Sequence, residues 1–150
     1  MEVNVNDFIY IGLFLSEETK DYLLNLFHLD SDFWGKAIYK IYCHHCTLLH
    51  KSMSDTEKGQ RILNELKHYN ENDVIPIVID GIGVSDKAMA FRVQKNMLLD
   101  MVCMNEQPHI TIATFNDGKP VDSNYIKSFM SVPPITIKTK LQIYKKWKNT

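Results

Sequence analysis

Hydrophobic and polar positions alternate along much of the chain in short stretches that predict β-strands, and two stretches have helical spacing instead. The predicted strands are Phe8–Phe14, Ala37–Leu48, Val74–Val84, Ala88–Gln94, His109–Phe115 and Ile135–Tyr144. Ser16 offers an N-cap to a helix that runs to about Phe27, and Ser54–Glu57 is a capping box before a second helix. Asp122 or Ser123 caps a third, shorter helix. This pattern predicts an α+β domain of about six or seven strands and three helices.

The bulk composition narrows the class of protein. With 150 residues, 45% of them hydrophobic and 23% charged, residues 1–150 are expected to form a single soluble domain. The formal net charge of −1 argues against a surface that holds a long nucleic acid, but it is compatible with a small anionic ligand. Three cysteines, an odd number, point to a reducing compartment, and the apolar run Phe8–Leu15 is too short to span a bilayer. We therefore expect a cytoplasmic protein.

The stretch IYCHHCTLLH, residues 41–50, allows two interpretations, a metal site or a strand that carries one catalytic histidine. On a strand, side chains alternate between two faces, with Cys43, His45 and Thr47 on one face and His44, Cys46 and Leu48 on the other. The two cysteines would then diverge, and Cys103 stands alone, so a tetrahedral metal site lacks ligands. The sequence thus predicts no metal and no cofactor, and a small core role for Cys46.

The same short motif occurs a second time. His109-Ile110-Thr111-Ile112 repeats the H-x-T-φ pattern of His45-Cys46-Thr47-Leu48, each on a predicted strand with core residues at the alternate positions. A single such motif would carry little weight, because a lone histidine or a strand threonine is more often structural. Two motifs on strands favour a shared site. Histidine titrates near neutral pH, so a pair can act as acid and base, and threonine hydroxyls can donate to phosphoryl oxygens.

With HCTL and HITI in a chain of this size, the sequence resembles the 2H phosphoesterase superfamily. The resemblance implies an α+β, two-lobed fold in which antiparallel sheets line a central cleft with helices outside, the two lobes being pseudo-repeats within one domain. It also implies that His45, Thr47, His109 and Thr111 are the catalytic residues. The stretch HITIATFNDGKPVDSN looks most like the phage anti-CBASS nucleases, which degrade cyclic oligonucleotide signals. The carboxylate-free stretch ITIKTKLQIYKKWKN departs from that group, because it supplies no acidic pocket residue.

Three further residues are candidates for substrate binding. Tyr10 shares one face of the first strand with Gly12, as in a cleft wall that admits a ligand, although core packing would explain it equally well. Trp147, in a lysine-rich tail, is placed to close over a nucleotide or simply to dock on the body of the domain. Lys119 follows a turn-forming run beside the second motif and could reach a phosphate.

These features predict a metal-independent phosphodiesterase that cleaves 3′-5′ bonds of cyclic di- or trinucleotide immune signals, in the host cytoplasm if the chain is of phage origin. The alternative is an RNA 2′,3′-cyclic phosphodiesterase, or 2′-5′ RNA ligase-like enzyme, that acts on RNA ends. A third possibility is a nucleotide-binding module without activity, against which the presence of both histidines and both threonines speaks. The near-neutral charge favours the small ligand, and neither a membrane nor a protein partner is expected.

Overall fold

Seven β-strands carry most of the regular structure in residues 1–29 and 38–145, the part of the chain that the computed structural model describes. The strands are Phe8–Phe14 (β1), Ile38–Ile41 (β2), His45–His50 (β3), Val74–Val84 (β4), Ala88–Val93 (β5), His109–Phe115 (β6) and Phe129–Lys145 (β7). The helices are Glu17–Leu26 (α1), Glu57–Leu66 (α2) and Met97–Val102 (α3), with two 3₁₀ helices at Lys51–Met53 and Pro120–Tyr125. None of these helices is long and apolar enough to cross a membrane.

The strands form one antiparallel sheet that closes on itself. Their order is β2-β6-β3-β1-β7-β4-β5, and β5 pairs again with β6, so that six strands make a closed barrel and β2 extends from β6. The expected two-lobed α+β fold, with antiparallel sheets lining a cleft and helices outside, is therefore wrong. The long β7 is the physical reason, because it pairs with β1 along one part of its length and with β4 along most of it, which leaves no break between two lobes.

Local sequence explains why the elements begin where they do. Ser16 caps α1, its hydroxyl accepting a hydrogen bond from the Thr19 amide at 3.1 Å. Thr56 caps α2 in the same way through the Gly59 amide at 3.0 Å, two residues after Ser54, which the sequence favoured. The sequence analysis did not predict α3, because this helix has only 6 residues after its N-cap, Asn96.

The core lies on one face of the barrel strands and leaves the other face for the site. Leu13, Leu48 and Leu141, from three adjacent strands, lie together with Leu66 of α2 and Val102 of α3. Because side chains alternate along a strand, the neighbours of these core residues point to the opposite face. That opposite face carries both histidine motifs.

Gly83, one of two glycines in β4, lies where neighbouring side chains leave no room for a Cβ atom. The register of β4 shifts between Ile79 and Gly81. A Cβ atom on Gly83 would lie 2.5 Å from the Ile126 side chain and 2.7 Å from the Phe129 ring. Glycine here lets Ile126 and Phe129 pack directly against the β4 backbone.

Candidate active site

The two H-x-T motifs lie side by side on neighbouring antiparallel strands. Cys46 of β3 is the register partner of Ile110 of β6, and both are fully buried on the core face. This register places His45 opposite Thr111 and Thr47 opposite His109, so each histidine faces the threonine of the other motif. All four side chains are half-buried and line one cleft of about 760 Å³. The structure therefore brings together the four residues expected to be catalytic.

A backbone carbonyl just before β6 holds the neutral His109 ring in one tautomer. Its Nδ1 lies 3.0 Å from the carbonyl oxygen of Gln107, which can only accept a hydrogen bond. Nδ1 must therefore carry the proton, and Nε2 of the neutral ring has a free lone pair. Burial lowers the pKa of His109, while the hydrogen bond to Gln107 works in the opposite direction. The ring is thus suited to accept a proton.

His45 is enclosed by aromatic rings. Its ring centroid lies 4.5 Å from that of Tyr10 and 5.2 Å from that of Phe14, with planes within 28° of parallel. Burial lowers the pKa of His45 to about 3, and the neighbouring His44 and His109 add to this effect by repulsion. The ring is therefore neutral at pH 7 in the free protein.

The structure adds His44 to the site, which sequence alternation had assigned to the core face. The predicted strand 37–48 is interrupted, because β2 ends at Ile41 and β3 begins at His45. Between them Cys43 has a φ of 51°, in the left-handed region, which breaks the alternation of side chains. His44 consequently lines the cleft, and its Nδ1 lies 2.5 Å from Nδ1 of His45.

The same kink changes the position of Cys43, which the sequence pattern had paired with Cys46 as an apparent metal ligand. Cys43 is fully buried instead of sharing a face with His45, and burial raises the pKa of its thiol to about 12. Cys43 therefore does not line the cleft with His45. In residues 1–29 and 38–145, no group of three or more histidine, cysteine or acidic side chains is placed to hold a metal ion.

The threonines differ in their surroundings. Thr111 Oγ1 is 2.8 Å from the hydroxyl of Ser123, a buried residue of the second 3₁₀ helix. The carbonyl of Pro120 lies 3.4 Å from the same oxygen. If Ser123 donates, the Thr111 hydroxyl donates to the Pro120 carbonyl, and a phosphoryl oxygen in the cleft would take the place of that acceptor. The sequence analysis identified Ser123 only as a possible helix cap.

The three candidate binding residues have different outcomes. Tyr10 lines the cleft, and its ring stacks on that of Tyr144 with centroids 4.9 Å apart. Burial, followed by the neighbouring Tyr144, raises the pKa of Tyr10 to about 12, so its hydroxyl stays protonated. Lys119 is exposed at the start of the second 3₁₀ helix, beside the cleft-lining Pro120. Trp147 lies outside the described residues.

Tyr144 is a site residue that the sequence analysis did not single out. It is half-exposed at the end of β7, on the face shared with Tyr10, its register partner. From Thr136 onward the even-numbered residues of β7 point to this face, since Ile137, Thr139 and Leu141 are buried on the other. The cleft wall is thus a row of rings, in the order Tyr144, Tyr10 and His45.

Comparison with known proteins places this geometry in a family. No curated protein sequence matches the chain. A solved structure described as "Crystal Structure of Fungal RNA Kinase" superposes with a TM-score of 0.66 at 16% identity, covering 95% of this chain and 47% of that one. The chain thus spans about half the length of that protein, and the likeness concerns the fold.

The sequence itself matches a family model described as "Fungal tRNA ligase phosphodiesterase domain" over residues 26–133, which include both H-x-T motifs. This supports the resemblance to the 2H phosphoesterase superfamily, whereas nothing in the comparisons supports the narrower resemblance to phage anti-CBASS nucleases. The chain belongs to the fungal tRNA ligase phosphodiesterase domain family.

Proposed function

We propose that this protein is an RNA-processing phosphodiesterase that opens a 2′,3′-cyclic phosphate at the end of an RNA. The observation that carries the proposal is the convergence of His45, Thr47, His109 and Thr111 on one cleft in a member of this family. Two imidazoles supply both an acid and a base, so the reaction needs no metal.

The geometry suggests how the bond is exchanged. The phosphate lies between the two motifs, and the Thr47 and Thr111 hydroxyls donate to its non-bridging oxygens as negative charge develops. One histidine takes a proton from water as the new P–O bond forms. The other gives a proton to the ribose oxygen as the old P–O bond breaks. Both pKa values are lowered in the free protein, and the bound anion raises them again, so that one ring can be cationic.

A basic strip beside the cleft favours an RNA end over a small cyclic nucleotide. Phe14 is the register partner of both His45 on β3 and Lys140 on β7, which puts all three on one face. Neighbouring strands are about 4.8 Å apart, so the backbone of Lys140 is roughly 10 Å from that of His45. Lys138 follows on the same face, and both lysines are exposed. The rest of an RNA chain, on the 5′ side of the terminal nucleotide, would bring further phosphates to this strip.

Arg92, beside His109, is already engaged in an ion pair. Arg92 is the register partner of His109, but its Nε donates to the Asp80 carboxylate at 2.7 Å and its Nη2 to the Asp80 carbonyl at 3.1 Å. By contrast, Lys138 and Lys140 make no ion pair within the part of the chain that the structure describes. They remain available to phosphates.

The test compares three substrates in the presence of EDTA: an RNA oligonucleotide ending in a 2′,3′-cyclic phosphate, the corresponding 2′,3′-cyclic mononucleotide, and a panel of 3′-5′ cyclic dinucleotides. We expect the protein to open the RNA end with a higher kcat/KM than the mononucleotide. Lys140→Glu should lower kcat/KM for the oligonucleotide and leave kcat/KM for the mononucleotide unchanged. Lys67→Glu, at the end of α2, is the matched control. Cleavage of cyclic dinucleotides without opening of the RNA end would overturn the proposal.

A further inference from the structure

His44 touches His45 edge to edge. The two Nδ1 atoms are 2.5 Å apart, the ring planes are within 21° of parallel, and the centroids are 4.6 Å apart. The centroid separation is close to the N–N distance plus the two ring radii, so the rings are nearly coplanar and not stacked one over the other. A hydrogen must therefore lie between the two Nδ1 atoms, donated by one ring to the other.

The position of this shared hydrogen determines whether Nε2, on the far side of the His45 ring, carries a proton. If neutral His45 donated, its Nε2 would be unprotonated, as in His109, and the site would hold two bases and no acid. If His44 donates, Nε2 of His45 carries a hydrogen. In a pair with one additional proton, both Nε2 atoms are protonated and one hydrogen lies between the rings. Two of the three arrangements thus present an N–H from His45.

We propose that His44 is the proton partner of His45, which makes His45 the general acid and leaves His109 as the general base. This rests on the proposed phosphodiesterase function. Before the reaction the His44–His45 pair carries one positive charge shared between two rings. As the P–O bond to the ribose oxygen breaks, the Nε2 hydrogen of His45 moves to that oxygen. The bridging hydrogen stays on Nδ1 of His45, and both rings are then neutral.

The other half of the exchange balances this step. Water loses a proton to Nε2 of His109 as its oxygen bonds to phosphorus, so His109 becomes cationic while the pair becomes neutral. Release of that proton and uptake of one by the pair complete the cycle. The hydrogen bond of His109 to the Gln107 carbonyl stabilises its cationic form, as the base requires.

The surroundings of His44 restrict the pair to a single additional proton. Burial lowers the pKa of His44, the ammonium groups of Lys20 and Lys40 lower it further, and Glu17 opposes them. The Tyr42 and His44 rings also meet in a T-shaped arrangement, with centroids 5.9 Å apart. A second positive charge on the pair is therefore excluded, while one charge spread over two rings costs less than one confined to His45.

Two substitutions separate proton sharing from simple positioning. His44→Asn keeps an N–H donor near the position of Nδ1 but cannot take up an additional proton, whereas His44→Ala removes the contact. With the RNA 2′,3′-cyclic phosphate as substrate, we expect kcat to fall about ten- to a hundredfold in both variants with KM little changed, since a general acid contributes about 10²–10⁴-fold. The basic limb of the pH–rate profile, which reports the acid, should move to lower pH. The acidic limb, which reports His109, should stay in place.

The tautomers can be read without any substrate. Two-dimensional ¹H–¹⁵N spectra of the histidine rings in the free protein should show His45 protonated at Nε2 and His109 at Nδ1, with His68→Asn as an exposed control. Loss of the Nε2–H form of His45 in His44→Ala would support the pairing. His45 protonated at Nδ1 alone, or His44 variants with wild-type kcat and both pH limbs unmoved, would overturn it. If the protein failed to open the RNA end yet showed these tautomers, the function would be wrong and the hydrogen-bond assignment would stand.

Discussion

Acidification should destabilise this protein through His45, by an amount that follows from its burial. The pKa of His45 is about 3 in the folded chain, against an ordinary value of 6.5 in the unfolded chain. Between these values the unfolded state binds more protons, so the free energy of unfolding falls as pH falls. The contribution is fully present above pH 6.5 and is lost progressively as pH falls to about 3. By linkage, about 2 kcal/mol is lost at pH 5 and on the order of 5 kcal/mol below pH 3.

Chemical denaturation at pH 7 and pH 5 measures this loss. We compare the wild-type protein with His45→Gln, which cannot titrate, and with His68→Gln, which removes an exposed histidine after α2. Between pH 7 and pH 5 the wild type and His68→Gln should lose about 2 kcal/mol more unfolding free energy than His45→Gln. An equal loss in all three proteins would show that His45 is not held neutral by burial, and the electrostatic description of the site would have to be abandoned.

Three other predictions concern activity and packing. His45→Ala and His109→Ala should each lower turnover by about 10²–10⁴-fold, and the double variant should be little worse than the worse single one, because the residues act as a unit; steady-state kinetics on the cyclic-phosphate RNA decides this. Turnover should persist in EDTA, and elemental analysis of purified protein should find no stoichiometric zinc; activity restored only by added zinc would contradict this. Gly83→Ala should lower the unfolding free energy by roughly 1–3 kcal/mol through overpacking against Ile126 and Phe129, and an unchanged denaturation midpoint would contradict it.

The strands could be predicted where pairing is regular and one face is buried. The bounds of β1, β4 and β6 match the predicted Phe8–Phe14, Val74–Val84 and His109–Phe115, because β-branched residues and alternation both mark these segments. The sheet topology could not be predicted. Barrel closure depends on β5 pairing with β6 and on β7 starting at Phe129, ahead of the predicted Ile135, and neither appears in local periodicity.

For the site, alternation gave the correct face for His45 and Thr47 but the wrong one for His44. The error has a single cause, the left-handed backbone at Cys43, which is not glycine or asparagine and so gave no signal of a break. Tyr144 required knowledge of its pairing with Tyr10 across β1 and β7. Contacts between distant segments therefore decide which side chains join the motif residues.

Closure of the barrel and the chemistry of the cleft are connected. A sheet with a free edge at β6 could place His109 at a distance from His45, but β6 is fixed on one side by β3 and on the other by β5. The register of that pairing sets each histidine against the opposite threonine, an arrangement that fits one phosphate between two nearly equivalent half-sites. The two half-sites differ in what lies behind each ring: a backbone carbonyl behind His109 and a second imidazole behind His45. A carbonyl fixes its proton in place, while an imidazole can share one, and that difference is what turns two similar histidines into a base and an acid.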